Sequence, residues 1–213
     1  MSRVCVVGGS KGIGLETVKT LLERGYYVTA FSRYAEKLVL KHDRLTLVSG
    51  NALHHADLKK AISGADSVVQ ALGVPVNLKL LTGPITLFSK ATEVLVPLLE
   101  DVGVGRLIAV TGFGAGESAQ AINIMQRIPF RVIFGRAYDD KSRQEAIIKA
   151  SSLDWTIVRP GILTNHPLKT PYRIRKEPPD WRNGIISRSA VADYIVNSLS
   201  DPSTVRVEAV LAN

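Results

Sequence analysis

Residues 6–14 read VVGGSKGIG, with four glycines, a serine and a lysine directly after an apolar run. An ordinary tight turn needs one or two glycines. Four of them where a strand should hand over to a helix predict a backbone that must turn sharply and also be approached closely. Gly8, Gly12 and Gly14 give the spacing G-x-x-x-G-x-G. In a turn of this kind one glycine permits the reversal, a second lets a pyrophosphate reach the main chain, and a third lets the helix pack tightly on the strand. The open N–H groups and the positive end of the new helix then hold the phosphates. Ser10, Lys11 and Ile13 lie in the same loop and are candidate contacts.

Glycine spacing alone is weak, and it gains force from the alternating pattern of the rest of the chain. The stretches RVCVV, YVTAFS, LTLVSG, DSVVQALG, RLIAVTG and WTIVRPG are short, nearly continuous apolar runs ending in Gly, Ser or Pro. Strands buried on both faces have this character. Helix-period segments separate them at 12–24, 56–63, about 84–102 and 139–150. A last helix at 187–201 has Ser187 or Ser189 as its N-cap, and TVRVEAVLA reads as a closing strand. Alternation of this kind demands crossover connections and a parallel sheet. The expectation is one α/β domain over residues 1–213, doubly wound, with a mostly parallel sheet of about seven strands and helices on both faces.

The 213 residues include 46% hydrophobic and 22% charged side chains, a balance that suits a globular domain. No apolar run approaches the ~20 residues that span a bilayer, and the opening MSRVCVV offers no signal-peptide core. Cys5 is the one cysteine, so no internal disulfide is available and a cytoplasmic setting is expected. The net charge of +8 is scattered, apart from one cluster in YRIRKEPPDWR at 172–182. Without interleaved base-reading residues this charge suits cofactor phosphates better than nucleic acid, and neither a nucleic-acid nor a membrane partner is expected.

With these motifs in place, the chain resembles the short-chain dehydrogenase/reductase superfamily. VGGSKGIG is similar to its cofactor loop. GNALHHADL, at 50–58, resembles the third-strand segment beside the adenine ring, which implicates Asn51 and Ala52. QALG, at 70–73, resembles the loop under the nicotinamide ribose, which implicates Ala71, Leu72 and Gly73. DKSRQEAIIKASSLDWTIVRPG, at 140–161, resembles the atypical branch that holds NmrA-like proteins and flavin/biliverdin reductases. Its Pro160 and Gly161 join the implied cofactor contacts, and the resemblance as a whole implies a Rossmann fold and a nicotinamide cofactor.

Charge selects the form of that cofactor. The second strand ends in Ser32 and Arg33 with no Asp or Glu, and Lys11 sits in the glycine loop. A carboxylate at that place suits the 2′-hydroxyl of NAD, whereas an arginine can grip a 2′-phosphate, so NADP(H) is expected. Catalytic residues follow the family less closely. Better-known members place a Tyr-x-x-x-Lys pair on a helix and a serine after strand five. Here Lys141 matches the lysine, but Ala137 stands four residues before it and Tyr138 three, about 100° around the helix. Gly112 stands where the serine is often found, with Thr111 beside it. Lys141, Thr111 and Tyr138 are therefore the candidate catalytic residues, and Thr111, Gly112 and Lys141 also count as cofactor contacts.

His42, His54, His55 and His166 have no partners at metal-ligand spacing, so no metal is expected. Trp155 reads as core. Trp181 belongs to a lid, an interaction loop or a solvated loop, and Met125, Phe130 and Phe134 either wall a planar acceptor or fill the interior. Two functions fit. One is an NADPH-dependent reductase of a small planar or carbonyl substrate; the other is a non-catalytic NADP(H)-binding regulator resembling NmrA. Oligomeric state is not legible in the chain.

Overall fold

The structure is a computed structural model describing residues 2–74, 85–121, 124–167 and 171–213, with backbone alone over 124–133. Strand β1 (Arg3–Val7) is buried along all but its first residue, as a strand covered on both faces must be. It lies between β2 (Tyr27–Ser32) and β4 (Ser67–Gln70), paired in parallel with both. Adding β3 (Leu45–Ser49), β5 (Arg106–Val110), β6 (Asp154–Pro160) and β10 (Val207–Leu211) gives the order β3-β2-β1-β4-β5-β6-β10. The sheet reverses direction at β1, so the crevice for a ligand opens at the carboxyl ends of β1 and β4.

The expected seven parallel strands are all present, and the sheet carries an eighth. This is β8 (Ile174–Arg175), which runs antiparallel on β10. A separate parallel pair joins β7 (Ile162–Thr164) to β9 (Ile185–Ser187). These three strands are two or three residues long and partly exposed, so no alternation betrays them.

Helices α1 (Gly12–Glu23) and α5 (Arg188–Ser198) cover one face, where Val18, Leu21, Val191 and Ile195 form the core. Ser187 caps α5, its hydroxyl accepting from the Ala190 N–H at 3.2 Å. The other face is covered by α2 (His55–Ile62), α3 (Leu87–Val102) and α4 (Ile124–Ala150), with Leu58, Leu95, Leu99, Ile148 and Trp155 between them and the sheet. Residue 84, the expected start of α3, lies outside the described residues. Helix α4 begins well before the expected residue 139 and carries Pro129 within it. Among the described residues, no helix is long and apolar enough to cross a membrane, and no three His, Cys, Asp or Glu side chains gather as a metal would require.

Buried polar pairs tie α3, α4 and β4 together beneath the crevice. Asp140 on α4 accepts the Phe88 and Ser89 N–H groups at 2.8 and 3.3 Å, together with the Ser89 hydroxyl. It supplies from a second helix the N-terminal cap that Thr86 does not provide. Gln70, at the end of β4, takes a hydrogen bond from Gln144 at 2.9 Å and donates to Thr92 at 2.9 Å.

Candidate functional site

The glycine loop follows β1 into α1, and its glycines do different work. Gly8, at φ +94°, lies so close to the β4 exit that an added Cβ would stand 2.5 Å from the Ala71 carbonyl oxygen. A Cβ on Gly14 would run into the Gly8 carbonyl. Both positions are closed by packing of backbone on backbone. Gly12 is different. It has φ +57°, and among the described residues the one atom near its missing Cβ is the Arg188 Nε, at 3.8 Å. Its φ requires glycine, and the space in front of it is open.

The N-terminus of α1 has no side-chain cap and no acidic residue in its first turn. Its N–H groups and dipole are therefore available to an anion, so a dinucleotide pyrophosphate fits the cradle. Ser10 and Ile13 are partly buried in the loop, while Lys11 is exposed.

At the β2 exit, where the sequence reading places the adenosine ribose, Ser32 has a buried hydroxyl with no hydrogen-bond partner among the described residues. Arg33 comes next, exposed. The next carboxylate along the chain, Glu36, is engaged by the Ser49 hydroxyl at the end of β3, which holds its pKa below the ordinary value. Asn51 shapes the loop after β3, its side chain accepting from the Leu53 N–H at 3.1 Å, with Ala52 buried beside it. Asn51 also holds His54, whose ring approaches it at 3.3 Å.

Further along the same edge, where the sequence reading places the nicotinamide, Ala71, Leu72 and Gly73 leave β4, Thr111 and Gly112 leave β5, and Pro160 and Gly161 end β6. The structure thus brings every sequence-predicted cofactor residue to the carboxyl edge of one sheet. The Lys141 ammonium donates to the Thr111 carbonyl and stands over the rings of Phe88 and Tyr138, at 5.1 and 5.3 Å from their centroids. Burial of the ammonium lowers its pKa to about 8, against the opposing pull of Glu145.

Tyr138 does not stand away from this group, as its helix position had suggested. Its hydroxyl reaches the β5 exit, 2.8 Å from where a Cβ on Gly112 would be. It occupies the volume that a serine at position 112 would need. Burial raises the phenol to about 12, and the ammonium meets the face of the ring rather than its oxygen. Phe134 packs edge-on against Tyr138 at 6.4 Å. The side chains of Met125 and Phe130 lie outside the described residues.

Arg159, Glu208 and Arg188 escaped sequence reasoning here. Arg159, fully buried on β6, makes hydrogen bonds to Glu145 at 3.0 and 2.7 Å and an ion pair with Glu208 at 2.6 Å. Glu145 in turn accepts from the Thr111 hydroxyl at 2.7 Å, so the ion pair is linked to a residue at the β5 exit. A lone arginine inside WTIVRPG was the available signal, since a charge on a two-faced buried strand requires a carboxylate. Arg188, beside Gly12, carried no such signal.

Trp181 is buried against Phe113 and Val210, with its ring 4.7 Å from the Arg159 guanidinium. It is neither solvated nor a free lid, because it covers this ion pair. The basic cluster around it lines an open cavity of about 820 Å³ at β8, on the far edge of the sheet from the glycine loop.

A family model described as NAD(P)H-binding matches residues 8–202. An uncharacterised chloroplastic protein of Arabidopsis thaliana is 30% identical over 217 residues, covering 99% of this chain and 76% of that protein. The chain spans 20 to 32% of other curated relatives that it matches. Among solved structures, a short-chain dehydrogenase/reductase of Veillonella parvula in complex with NADP has a TM-score of 0.83 at 20% identity, covering 100% of this chain and 94% of that one. ChuY, an anaerobillin reductase of Escherichia coli O157:H7, has a TM-score of 0.80 at 21% identity, covering 100% and 97%. At these identities the two structures share the fold.

Proposed function

Because the chain belongs to the NAD(P)H-binding family, we propose that it is an NADPH-dependent reductase of a small planar or carbonyl acceptor, acting in the cytoplasm without a nucleic-acid or membrane partner. The observation that carries this reading is the enclosed Lys141 ammonium at the nicotinamide end, poised near neutrality and held by a main-chain carbonyl. An enclosed cation with a strongly shifted pKa is costly, and such groups gather where chemistry is done. The bound cofactor would supply a hydride. Lys141 would orient the nicotinamide ribose, the Thr111 carbonyl and Glu145 would hold that lysine in place, and Phe88 and Tyr138 would wall the site. The anaerobillin reductase, similar in fold, supports a conjugated acceptor.

A specific observation favours the alternative of a non-catalytic NADP(H)-binding regulator. Position 112 carries no side-chain hydroxyl of its own, and burial raises the Tyr138 phenol to about 12. Steady-state NADPH oxidation with flavins, quinones and aldehydes separates the two. Turnover with at least one conjugated acceptor is expected. A protein that binds NADPH and turns over none of them is the regulator. In the same assay Tyr138→Phe should stay within a few-fold of wild type. A loss of the 10²–10⁴-fold that a general acid contributes would make Tyr138 the proton donor.

For the cofactor, the exposed Arg33 and Lys11 support NADPH over NADH. Losing a charge-assisted contact to the 2′-phosphate costs about 1.5–3 kcal/mol. Arg33→Asp should lose that much NADPH affinity and little for NADH. Unchanged NADPH titrations would remove Arg33 from the site.

Lys141→Met should have opposite effects on binding and stability. The lysine's folded pKa, about 8, lies below its ordinary 10.5, so the unfolded chain holds more protons between those values. The cost of the buried charge is therefore fully present below pH 8 and is relieved as pH rises toward 10.5. Met removes it, raising stability at pH 7 by up to about 3 kcal/mol less what the lost hydrogen bond contributed. NADPH affinity should fall, and its decline above pH 8 in the wild type should vanish. Thermal melts and titrations at about pH 7 and pH 9.5 check both, and a pH-independent wild type would contradict the assignment.

A further inference from the structure

Arg188 is the first residue of α5, and its guanidinium reaches the open space before Gly12, with Nε 3.8 Å from the position of the missing Cβ. Its Nη1 donates to the Asn165 side chain at 2.7 Å. Among the described residues no carboxylate pairs with it, although it is partly buried. A half-buried guanidinium held in place by a neutral amide keeps its remaining donors and its whole charge for something else.

The presentation of this side chain is rigid. Asn165 comes directly after β7, Arg188 directly after β9, and the two strands are paired in register from Ile162↔Ile185 to Thr164↔Ser187. The Ser189 hydroxyl adds a bond to the His166 carbonyl at 3.2 Å. This small sheet continues directly from Pro160 and Gly161, so it approaches the glycine loop from the nicotinamide side. Arg33 and Ser32 approach it from the opposite side, beyond β2. Two arginines therefore flank the cradle, one toward each half of a dinucleotide.

We infer that Arg188 grips the nicotinamide-side phosphate of the cofactor, closing over the pyrophosphate from the side opposite the N-terminus of α1. The inference rests on the dinucleotide reading of the loop, and adds a contact made from the carboxyl-terminal half of the sheet. A planar guanidinium suits a phosphate because it can offer two parallel donors. Since every dinucleotide carries this phosphate, Arg188 contributes affinity without choosing between NADPH and NADH.

The test is a titration of NADPH, NADH and adenosine 2′,5′-bisphosphate into wild type, Arg188→Gln and Arg188→Lys, monitored by tryptophan fluorescence or calorimetry. Adenosine 2′,5′-bisphosphate lacks the nicotinamide-side phosphate. Arg188→Gln should weaken both dinucleotides by the same factor, roughly ten- to hundredfold, the range for a lost charged hydrogen bond. It should leave the bisphosphate within about twofold, and Arg188→Lys should recover part of the loss. Dinucleotide binding indifferent to residue 188 overturns the inference alone, as does an equal loss for the bisphosphate. A wild type that binds neither dinucleotide overturns it together with the reading on which it rests.

Discussion

Gly12→Val should abolish NADPH binding, by about a hundredfold or more, while the protein remains folded. The valine Cβ here meets only the Arg188 Nε, at 3.8 Å among the described residues, so no packed neighbour has to give way and the strain lies in the backbone itself. Its cost is the left-handed φ of +57°, about 1–3 kcal/mol for a residue that cannot adopt it freely, against the roughly 5–15 kcal/mol by which domains are stable. The same side chain fills the open space between the start of α1 and Arg188, which is the room a pyrophosphate needs. Gly14→Ala is the contrast: its methyl would drive into the Gly8 carbonyl and should disrupt the fold itself. Circular dichroism beside a cofactor titration distinguishes the two. Undiminished binding by a folded Gly12→Val protein would mean that the phosphates lie elsewhere.

Arg159→Met should cost about 3–5 kcal/mol of stability in urea unfolding, the penalty of leaving a buried carboxylate without its partner. Burial works against the Arg159 cation, but the hydrogen bonds and charge of Glu145, with Glu208 and Glu117 adding to them, hold its pKa above the ordinary value. Removing the cation leaves Glu145 facing Glu208, with only Lys149 remaining among the described residues to pair with Glu208. The double variant Arg159→Met, Glu145→Leu should regain most of the loss, because apolar replacement of both members of a buried pair is often neutral. It should not regain function fully, since the Thr111 hydroxyl loses its acceptor. A single variant within about 1 kcal/mol of wild type would show that the pair is not desolvated in solution.

These two sites also mark where sequence reading succeeds and where it stops. The glycine loop was legible because its chemistry is local: neighbouring residues fix the turn, and the alternation of buried strands places it. The seven parallel strands were legible for the same reason, each being an apolar run with punctuation. The features that escaped depend on distant partners. Arg159 acquires meaning only when Glu145 and Glu208 arrive from α4 and β10, and Asp140 only when it meets the start of α3. Arg188 comes to Gly12 through two strands of three residues each, too short to show a period. Trp181 sat in a proline-rich, basic segment that reads as surface, yet it is buried over a charge pair that no local pattern announces.

Gly112 and Tyr138 share a single volume, and this constrains how the protein could change over evolutionary time. A serine introduced at 112 would place its Cβ 2.8 Å from the phenol oxygen and 3.3 Å from two ring carbons, so that substitution arrives first only at a steric penalty. Shrinking Tyr138 first vacates the space but leaves a gap against Phe134 and beside Lys141. The route to a Tyr-x-x-x-Lys site thus requires at least a smaller residue at 138, then a hydroxyl at 112 and a tyrosine at the buried position 137. Positions 112 and 138 are therefore coupled, and what one of them holds limits what the other can accept.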